Sequence, residues 1–369
     1  MIEPTDNDPA VRAFAERLAP HPPAFRSRIH EADEMYSYNL GMLRGSKAAA
    51  VMLYYLKGWQ IAQAIRGVAS WYFGGIRNVD SFLDFASGFG RVTRFLVRDL
   101  DPARICVAEI QQAAVEFQRT YFGVGGLVSP PDALDFNPKR SRFVMATSFF
   151  SHVPDAPFRA WVKGLLECVE PGGVLAFSTN DVAQLGPRAE TSNGFVFLPE
   201  SETDRLDKTA YGTTYVSEDY VRETIRAAGY GALSVSRLPR GLGGLQDLYL
   251  VSAAAGPDPR FEGATYYPWG DADLYEKRGG GRLAAAGWVE TVDVAPAADK
   301  VEFFINDEPA ELCSLSAIGP HRSRWSFETD LARILPDDVL SVRAMAGTRQ
   351  ENFLALATLR TNPPSTGKA

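Results

Sequence analysis

The pattern of apolar and polar positions divides the chain into three stretches. Up to about residue 77 apolar side chains recur at helical spacing. Val51, Leu53, Tyr54, Leu56, Ile61 and Ile65 follow Ser46, a residue type that caps helices, and a shorter helix is predicted over 31–43. From Val79 the pattern changes to short apolar runs separated by amphipathic helical periods. Strands are predicted at 81–85, 105–110, 127–129, 143–148, 174–178, 233–238 and 245–251. Helices are predicted at 91–100, 111–122, 156–169 and 217–228, the last with Ser217 as N-cap and Gly229 as its stop. Such alternation implies an α/β unit with a mostly parallel sheet covered on both faces.

Ala253-Ala254-Ala255-Gly256-Pro257-Asp258-Pro259 reads as a linker. Beyond it helical periods disappear. Strands are predicted at 288–294, 301–305, 324–328, 339–344 and 353–359, with turns such as Asn306-Asp307-Glu308-Pro309 and Pro336-Asp337-Asp338 between them. Short strands at this spacing predict an all-β sandwich of about a hundred residues. The domain reading is therefore an N-terminal helical layer at 1–78, an α/β domain at 79–254 and a β-sandwich at 260–361, with a tail from Asn362. The helical layer is either packing material or a cover over a ligand. Residues 185–215 are too long for a plain connection and form a candidate lid insertion.

Composition removes several classes. With 46% hydrophobic and 22% charged residues among 369, the chain has material for buried cores. The net charge of −7 and the lack of a basic stripe argue against nucleic acid as partner. The longest apolar stretch, 48–56, is too short to span a bilayer, so no membrane insertion is expected. The acidic start, Met1-Ile2-Glu3-Pro4, has no apolar leader. Cys106, Cys168 and Cys313 lie far apart, and His21, His30, His152 and His321 form no ligand cluster, so no metal is expected. This cysteine usage fits a reducing compartment, the cytoplasm.

The segment carrying most chemistry is Asp84-Phe85-Ala86-Ser87-Gly88-Phe89-Gly90-Arg91, which ends the first strand and opens the first helix. Small residues there let backbone N–H groups approach a ligand, and the helix start adds a favourable field for an anionic group. Glu109, at the end of the next strand, is placed to accept from ribose hydroxyls. A dinucleotide site wants a third glycine where Thr93 stands, and Asp84 would repel a pyrophosphate. Asp84 suits a ligand carrying an ammonium and a sulfonium. Alternatively, Asp84 caps the helix and Glu109 is a surface acid.

This segment resembles motif I of the class I S-adenosylmethionine (SAM)-dependent methyltransferases, and the likeness extends over roughly 81–252. Asp132-Ala133 resembles the family's adenine-reading pair, with Asp135 a rival to Asp132. Ser148-Phe149-Phe150-Ser151-His152-Val153-Pro154 resembles the loop after strand four. Val169-Glu170-Pro171-Gly172-Gly173 resembles the turn before strand five, and Gly229-Tyr230 the turn before strand six. The resemblance implies a Rossmann-like sheet of seven strands with the last antiparallel. It implies SAM as cofactor, bound by Asp84, Ala86, Ser87, Gly88, Gly90, Glu109, Ile110, Asp132, Ala133 and Ser148. Ala86 departs from the family, which has glycine there; alanine is tolerated if its φ stays negative.

Methyl transfer to a hydroxyl needs alignment and a base. His152, after the fourth strand, is the candidate base, unless it only orients its loop. Tyr211 is a second candidate catalytic residue. Tyr211, Tyr215 and Glu202 could bind a polar acceptor, either a small molecule or a saccharide by analogy with relatives acting on glycans. The sandwich is a candidate surface for a protein partner, a glycan or a second copy of the chain. Trp269, Trp288 and Trp325 are either its core or a carbohydrate platform. Two other readings stand beside the enzyme: an inactive scaffold on the same fold, and a nicotinamide-dependent oxidoreductase.

Overall fold

The computed structural model describes residues 8–21, 23–188, 193–199, 210–253, 267–276, 281–292, 295–346, 350–359 and 365–366. Two compact units form, Ile61–Ala264 and Met1–Gln60 together with Thr265–Ala369. No helix among the described residues is long and apolar enough to cross a membrane.

In the first unit the strands follow the predicted alternation: β1 (Phe82–Phe85), β2 (Ile105–Glu109), β3 (Gly125–Val128), β4 (Ser141–Ala146), β5 (Val169–Asp181), β6 (Phe195–Leu198), β7 (Thr213–Val216), β8 (Ser234–Leu242) and β9 (Gln246–Ser252). All four β1 residues are buried, as a central parallel strand requires. The main order is β3-β2-β1-β4-β5-β9-β8, with β9 antiparallel to both neighbours. This is the implied seven-stranded Rossmann-like sheet with one antiparallel strand. β5 also carries a parallel pairing with β7 at Asn180↔Tyr215 and Asp181↔Val216, and β6 pairs antiparallel with β7. The described parts of the candidate lid are thus the end of a 3-10 stretch (Val182–Arg188) and this hairpin, and Phe195 packs 5.0 Å from the Tyr220 ring. Glu202 and the linker residues 254–259 lie outside the described residues.

Two differences from the sequence reading have physical causes. Pro171-Gly172-Gly173 is not a turn ahead of β5 but a bulge inside it. The register jumps from Ser141↔Val169 to Phe143↔Val174. A Cβ at Gly173 would lie 2.5 Å from the Arg142 carbonyl oxygen, so only glycine fits. The predicted helix 91–100 is regular only over Thr93–Leu96, the four residues at the start of a turn-rich stretch that reaches Leu100. β-branched Val92, Thr93 and Val97 weaken helical continuity there.

Numbered along the chain, the helices are α1 (Pro9–Leu18), α2 (Glu34–Met42), α3 (Lys47–Phe73), α4 (Thr93–Leu96), α5 (Gln112–Phe122), α6 (Asp155–Glu167) and α7 (Glu218–Ile225). α6 buries Phe158, Trp161, Val162, Leu165 and Leu166, an i, i+3, i+4, i+7, i+8 stripe. That stripe meets the sheet and the loop after β4 through rings: Trp161 is 4.5 Å from Phe85 of β1, and Phe158 is 4.8 Å from Phe150 of the loop. Ser217 caps α7 by accepting from the Tyr220 N–H, as its position in the sequence foretells.

In the second unit, β10 (Trp269–Glu276), β11 (Arg282–Glu290), β12 (Lys300–Ile305), β13 (Glu308–Leu312), β14 (Ser314–Ala317), β15 (Arg322–Asp330), β16 (Leu340–Ala346), β17 (Gln350–Ala357) and β18 (Ser365–Thr366) form two sheets, ordered β14-β15-β11-β10-β18 and β13-β12-β16-β17. Leu283, Ala285, Trp325 and Phe327 from one sheet share a core with Val301, Phe303, Val342 and Ala344 from the other, which makes a sandwich. Trp325 is therefore core. Trp288 is half-buried beneath the Arg322 guanidinium, 4.2 Å from its ring centroid, and Trp269 is half-buried as well. The Asn306-Asp307 turn has positive φ at both residues, as a tight β12–β13 hairpin demands. α1, inside the predicted helical layer but not delimited there as a separate helix, belongs to this unit. Its Arg17 pairs with Asp307 at 3.1 Å and Glu351 at 2.7 Å, and its Phe14 ring lies 5.8 Å from Phe353.

Candidate functional site

The loop after β1 is held by two neighbours. From β2, the Ala108 carbonyl accepts from the Ala86 N–H at 2.8 Å and the Ser87 N–H at 3.4 Å. From α5, Gln118 Nε2 donates to Ser87 Oγ and to the Gly88 carbonyl, both at 2.8 Å, while its Oε1 accepts from Thr93 Oγ1 at 2.6 Å. Gln118 is fully buried and escaped the sequence reading. The signal for it is a glutamine at 118 in the inward stripe Ala114, Val115, Phe117, Phe122, where an apolar residue belongs.

The loop reverses through left-handed backbone at Ala86 (φ 55°), Gly88 (φ 56°) and Gly90 (φ 79°). The condition that Ala86 keep a negative φ is therefore not met. The alanine carries the strain that glycine would avoid, roughly 1–2 kcal/mol. A Cβ at Gly90 would meet the Phe122 ring at 2.5 Å and Gln118 Oε1 at 2.9 Å, so this glycine is needed for space as well as for φ. A Cβ at Gly88 would meet nothing within 4 Å, so the loop leaves open room at that residue.

Two acids flank this room. Asp84, 2% exposed, is the next-to-last residue of β1, and its Oδ2 is buried without a hydrogen-bond partner among the described residues. Burial, and then the charge of Glu109, hold its carboxyl up at about 7, against a downward pull from the Thr93 hydroxyl. Glu109 is also buried. Its Oε2 accepts from the Gly88 N–H at 2.9 Å and its Oε1 from the Gln111 N–H at 3.2 Å. The carboxylate thus links the end of β2 to the glycine loop. A buried acid with an unsatisfied oxygen is a costly feature, and a cationic or hydrogen-donating ligand would relieve it. The predicted contribution from a helix start is reduced, because α4 has only four residues.

Beyond β2 and β3 the edge is apolar and open: Ile110 is 50% and Leu134 85% exposed. Asp132 is exposed and caps a short turn, its Oδ1 accepting from the Leu134 N–H at 3.0 Å. Ala133 is buried beside it, and the rival Asp135 is exposed.

The loop after β4 forms the other side. Ser148 has φ 57°, again left-handed without being glycine. His152 and Tyr211, separated by 59 positions, are brought together with rings stacked 4.6 Å apart at 13°. Imidazole Nδ1 lies 2.8 Å from the Gly212 carbonyl, and the Gly212 N–H donates to the His152 carbonyl at 2.8 Å. A carbonyl only accepts, so Nδ1 carries a proton, and in the neutral ring the lone pair is then on Nε2. A separate cleft of about 180 Å³ opens at the amino end of β5, among Arg140, Glu170, Gly172, Tyr230 and Ser252. It lies at the opposite strand ends from these loops, takes in the 169–173 bulge and Tyr230, and contains none of the candidate cofactor-binding or catalytic residues.

No protein-family model matches the chain, and no curated protein does. Solved structures do show likeness. A DhpI–SAH complex is 19% identical over 61% of this chain and 96% of its own, with a TM-score of 0.38. A SAM-dependent methyltransferase from Clostridium acetobutylicum is 14% identical over 53% and 92%, with a TM-score of 0.38. An O-methyltransferase family protein from Burkholderia thailandensis is 15% identical over 61% and 64%, with a TM-score of 0.40. At these scores the likenesses decide nothing about chemistry, and the strand order and loop geometry carry the functional reading.

Proposed function

We propose that this chain is a SAM-dependent methyltransferase that acts on a hydroxyl of a polar small molecule or saccharide. The observation that carries the reading is the buried Asp84 carboxyl with its unpartnered Oδ2, beside Glu109 and the left-handed glycine loop. A cationic amino-acid moiety satisfies Asp84. Glu109 would hold ribose hydroxyls, the room over Gly88 admits a close backbone approach, and Ile110 with Leu134 offers apolar surface to a purine, whose polar edge Asp132 and Ala133 would meet. Ala86, Ser87, Gly90 and Ser148 complete the contacting loops. The cofactor supplies an electrophilic methyl group on a sulfonium.

His152 is assigned as the base. The Gly212 carbonyl holds its Nδ1–H, so Nε2 takes the acceptor proton, and the Tyr211 ring backs the imidazole. Three free thiols fit a reducing cytoplasm. The test is calorimetric titration with SAM, S-adenosylhomocysteine (SAH) and NAD. SAM and SAH should bind and NAD should not, since Thr93 stands where a dinucleotide loop has glycine. Glu109→Ala should weaken SAH binding by about 1.5–3 kcal/mol, the loss of a charged hydrogen bond. A folded sample that binds neither SAM nor SAH sinks the reading.

A further inference from the structure

A closed polar network at the carboxyl edge of the sheet joins Ser148 to Ser151, Ser178 and Gln246, three residues with no part in the cofactor contacts or the base. Gln246, the first residue of β9, accepts at Oε1 from Ser178 Oγ at 2.7 Å and from Ser148 Oγ at 3.1 Å. Its Nε2 donates to Ser151 Oγ at 3.0 Å. Ser151 Oγ in turn donates to the Ser148 carbonyl at 3.0 Å, and the Ser148 N–H donates to Ser178 Oγ at 2.8 Å. Each hydroxyl proton has one destination, so the amide orientation is fixed by the partners around it. Ser151 and Ser178 are fully buried.

The network encloses Ser148, whose left-handed φ of 57° persists only where the surroundings over-determine it. It also connects to the imidazole. The Ser151 carbonyl accepts from the Thr214 N–H at 2.7 Å, Thr214 Oγ1 donates to the Val153 carbonyl at 2.6 Å, and between them His152 and Gly212 exchange their pair of bonds. Segments 151–153 and 212–214 therefore face one another in a register set at one end by Ser151.

We infer that Gln246 is a positioning residue: through Ser148, Ser151 and Ser178 it locks the loop after β4 so that His152 presents Nε2 to the acceptor. The inference rests on the methyltransferase reading for its purpose, but not for its test. Gln246 touches no reacting atom. It holds the loop on which the base stands, and it does so from β9, the antiparallel strand next to β5.

The experiment is nitrogen NMR on histidine-labelled full-length protein. The chain has four histidines, and a His152→Gln sample assigns the signal of interest. Wild type should show His152 as a single Nδ1–H tautomer. Gln246→Leu should lose that signature and give a mixture of tautomers. Adding Ser148→Gly to Gln246→Leu should bring the Nδ1–H signature back, because glycine accepts the left-handed conformation unaided, even where the melting temperature stays low. A general loss of packing would not be rescued in this way. If Gln246→Leu does not fold, Gln246→Met keeps the side-chain length, adds no charge and removes the amide bonds, and the same loss of a single tautomer is expected. A folded Gln246 variant that retains the wild-type signature overturns the inference, as does a double variant that fails to recover it. SAH binding by the wild-type sample reports separately on the cofactor reading.

Discussion

Replacing Asp84 by asparagine should stabilise the ligand-free protein, and should do so only at neutral and alkaline pH. The Asp84 carboxyl, 2% exposed, is held at about 7 by burial and by Glu109, against an ordinary value of 3.8. A raised carboxyl pKa means that the folded state keeps a proton that the unfolded chain has released. Stability is therefore lost as pH climbs from about 4 through about 7, and the penalty is full above that window. About three pKa units at 1.36 kcal/mol each set an upper bound of about 4 kcal/mol. Asparagine imitates the protonated acid in shape and does not titrate. In paired thermal melts the variant should match wild type near pH 4 and exceed it near pH 8 by about 2–4 kcal/mol, on the order of 5–10 °C. Comparing the two proteins at each pH cancels the titrating groups that do not interact with Asp84; Glu109, which does, belongs to the effect measured.

The same shift couples to the ligand with the opposite sense. A cation favours ionised Asp84, so wild-type affinity for SAM should rise with pH, at most about tenfold per unit, and level off above about 7. Asp84→Asn should bind SAM more weakly at pH 8 and lack that limb. A variant that is less stable than wild type at pH 8, or an equal stability difference at pH 4 and pH 8, would refute the argument that an ionised carboxylate is strained in the empty site.

Three further outcomes follow from the loops. Ala86→Gly removes left-handed strain at φ 55° and should raise stability in urea by about 0.5–1 kcal/mol after the entropy of the unfolded glycine is counted; a loss would show that the alanine methyl packs usefully. Gln118→Leu leaves the Gly88 carbonyl and the Ser87 and Thr93 hydroxyls short of partners and should cost about 2–4 kcal/mol in the same assay, together with a marked loss of SAH affinity. Once an acceptor is in hand, His152→Ala should slow transfer by about 10²–10⁴ and leave SAH affinity unchanged; an unaltered rate would assign His152 to holding the Gly212 segment alone.

The parts of the fold that were legible in the sequence are those where local chemistry and burial coincide. Ser217 and Gly229 bracket α7 because a hydroxyl satisfies an open N–H at one end and glycine accepts φ 93° at the other. The strands β1, β2, β4 and β5 stand out because parallel strands inside a sheet covered on both faces need nearly unbroken apolar runs. Elements whose reason lies far along the chain did not stand out. α1 places Phe14 and Arg17 on partners more than 280 positions away. β13 and β14 are edge strands with mostly exposed side chains, so they show no alternation to read. Gln118 and Gln246 look like surface residues until the loops they hold are seen.

What the sequence could least convey is the strain at the site. Among the described residues of the Ile61–Ala264 unit, three that are not glycine take a left-handed backbone: Ala86, Ser148 and Arg240. Each is fastened by a group from a neighbouring segment. Ala86 is held by the Ala108 carbonyl, Ser148 by Ser178 and Gln246, and Arg240 by Asp247, whose Oδ1 accepts the Arg240 N–H at 2.8 Å. A sequence announces left-handed backbone through glycine or asparagine, and none of these positions carries either. All three fall near the carboxyl end of the parallel strands or the hairpin that faces it, where the candidate cofactor and acceptor loops begin. Strain of about 1–3 kcal/mol per residue persists only where the surrounding structure over-determines it. Its concentration at one edge, with a dedicated polar partner for each residue, argues that loop position there is under functional control, and a vestigial scaffold has no need to keep it.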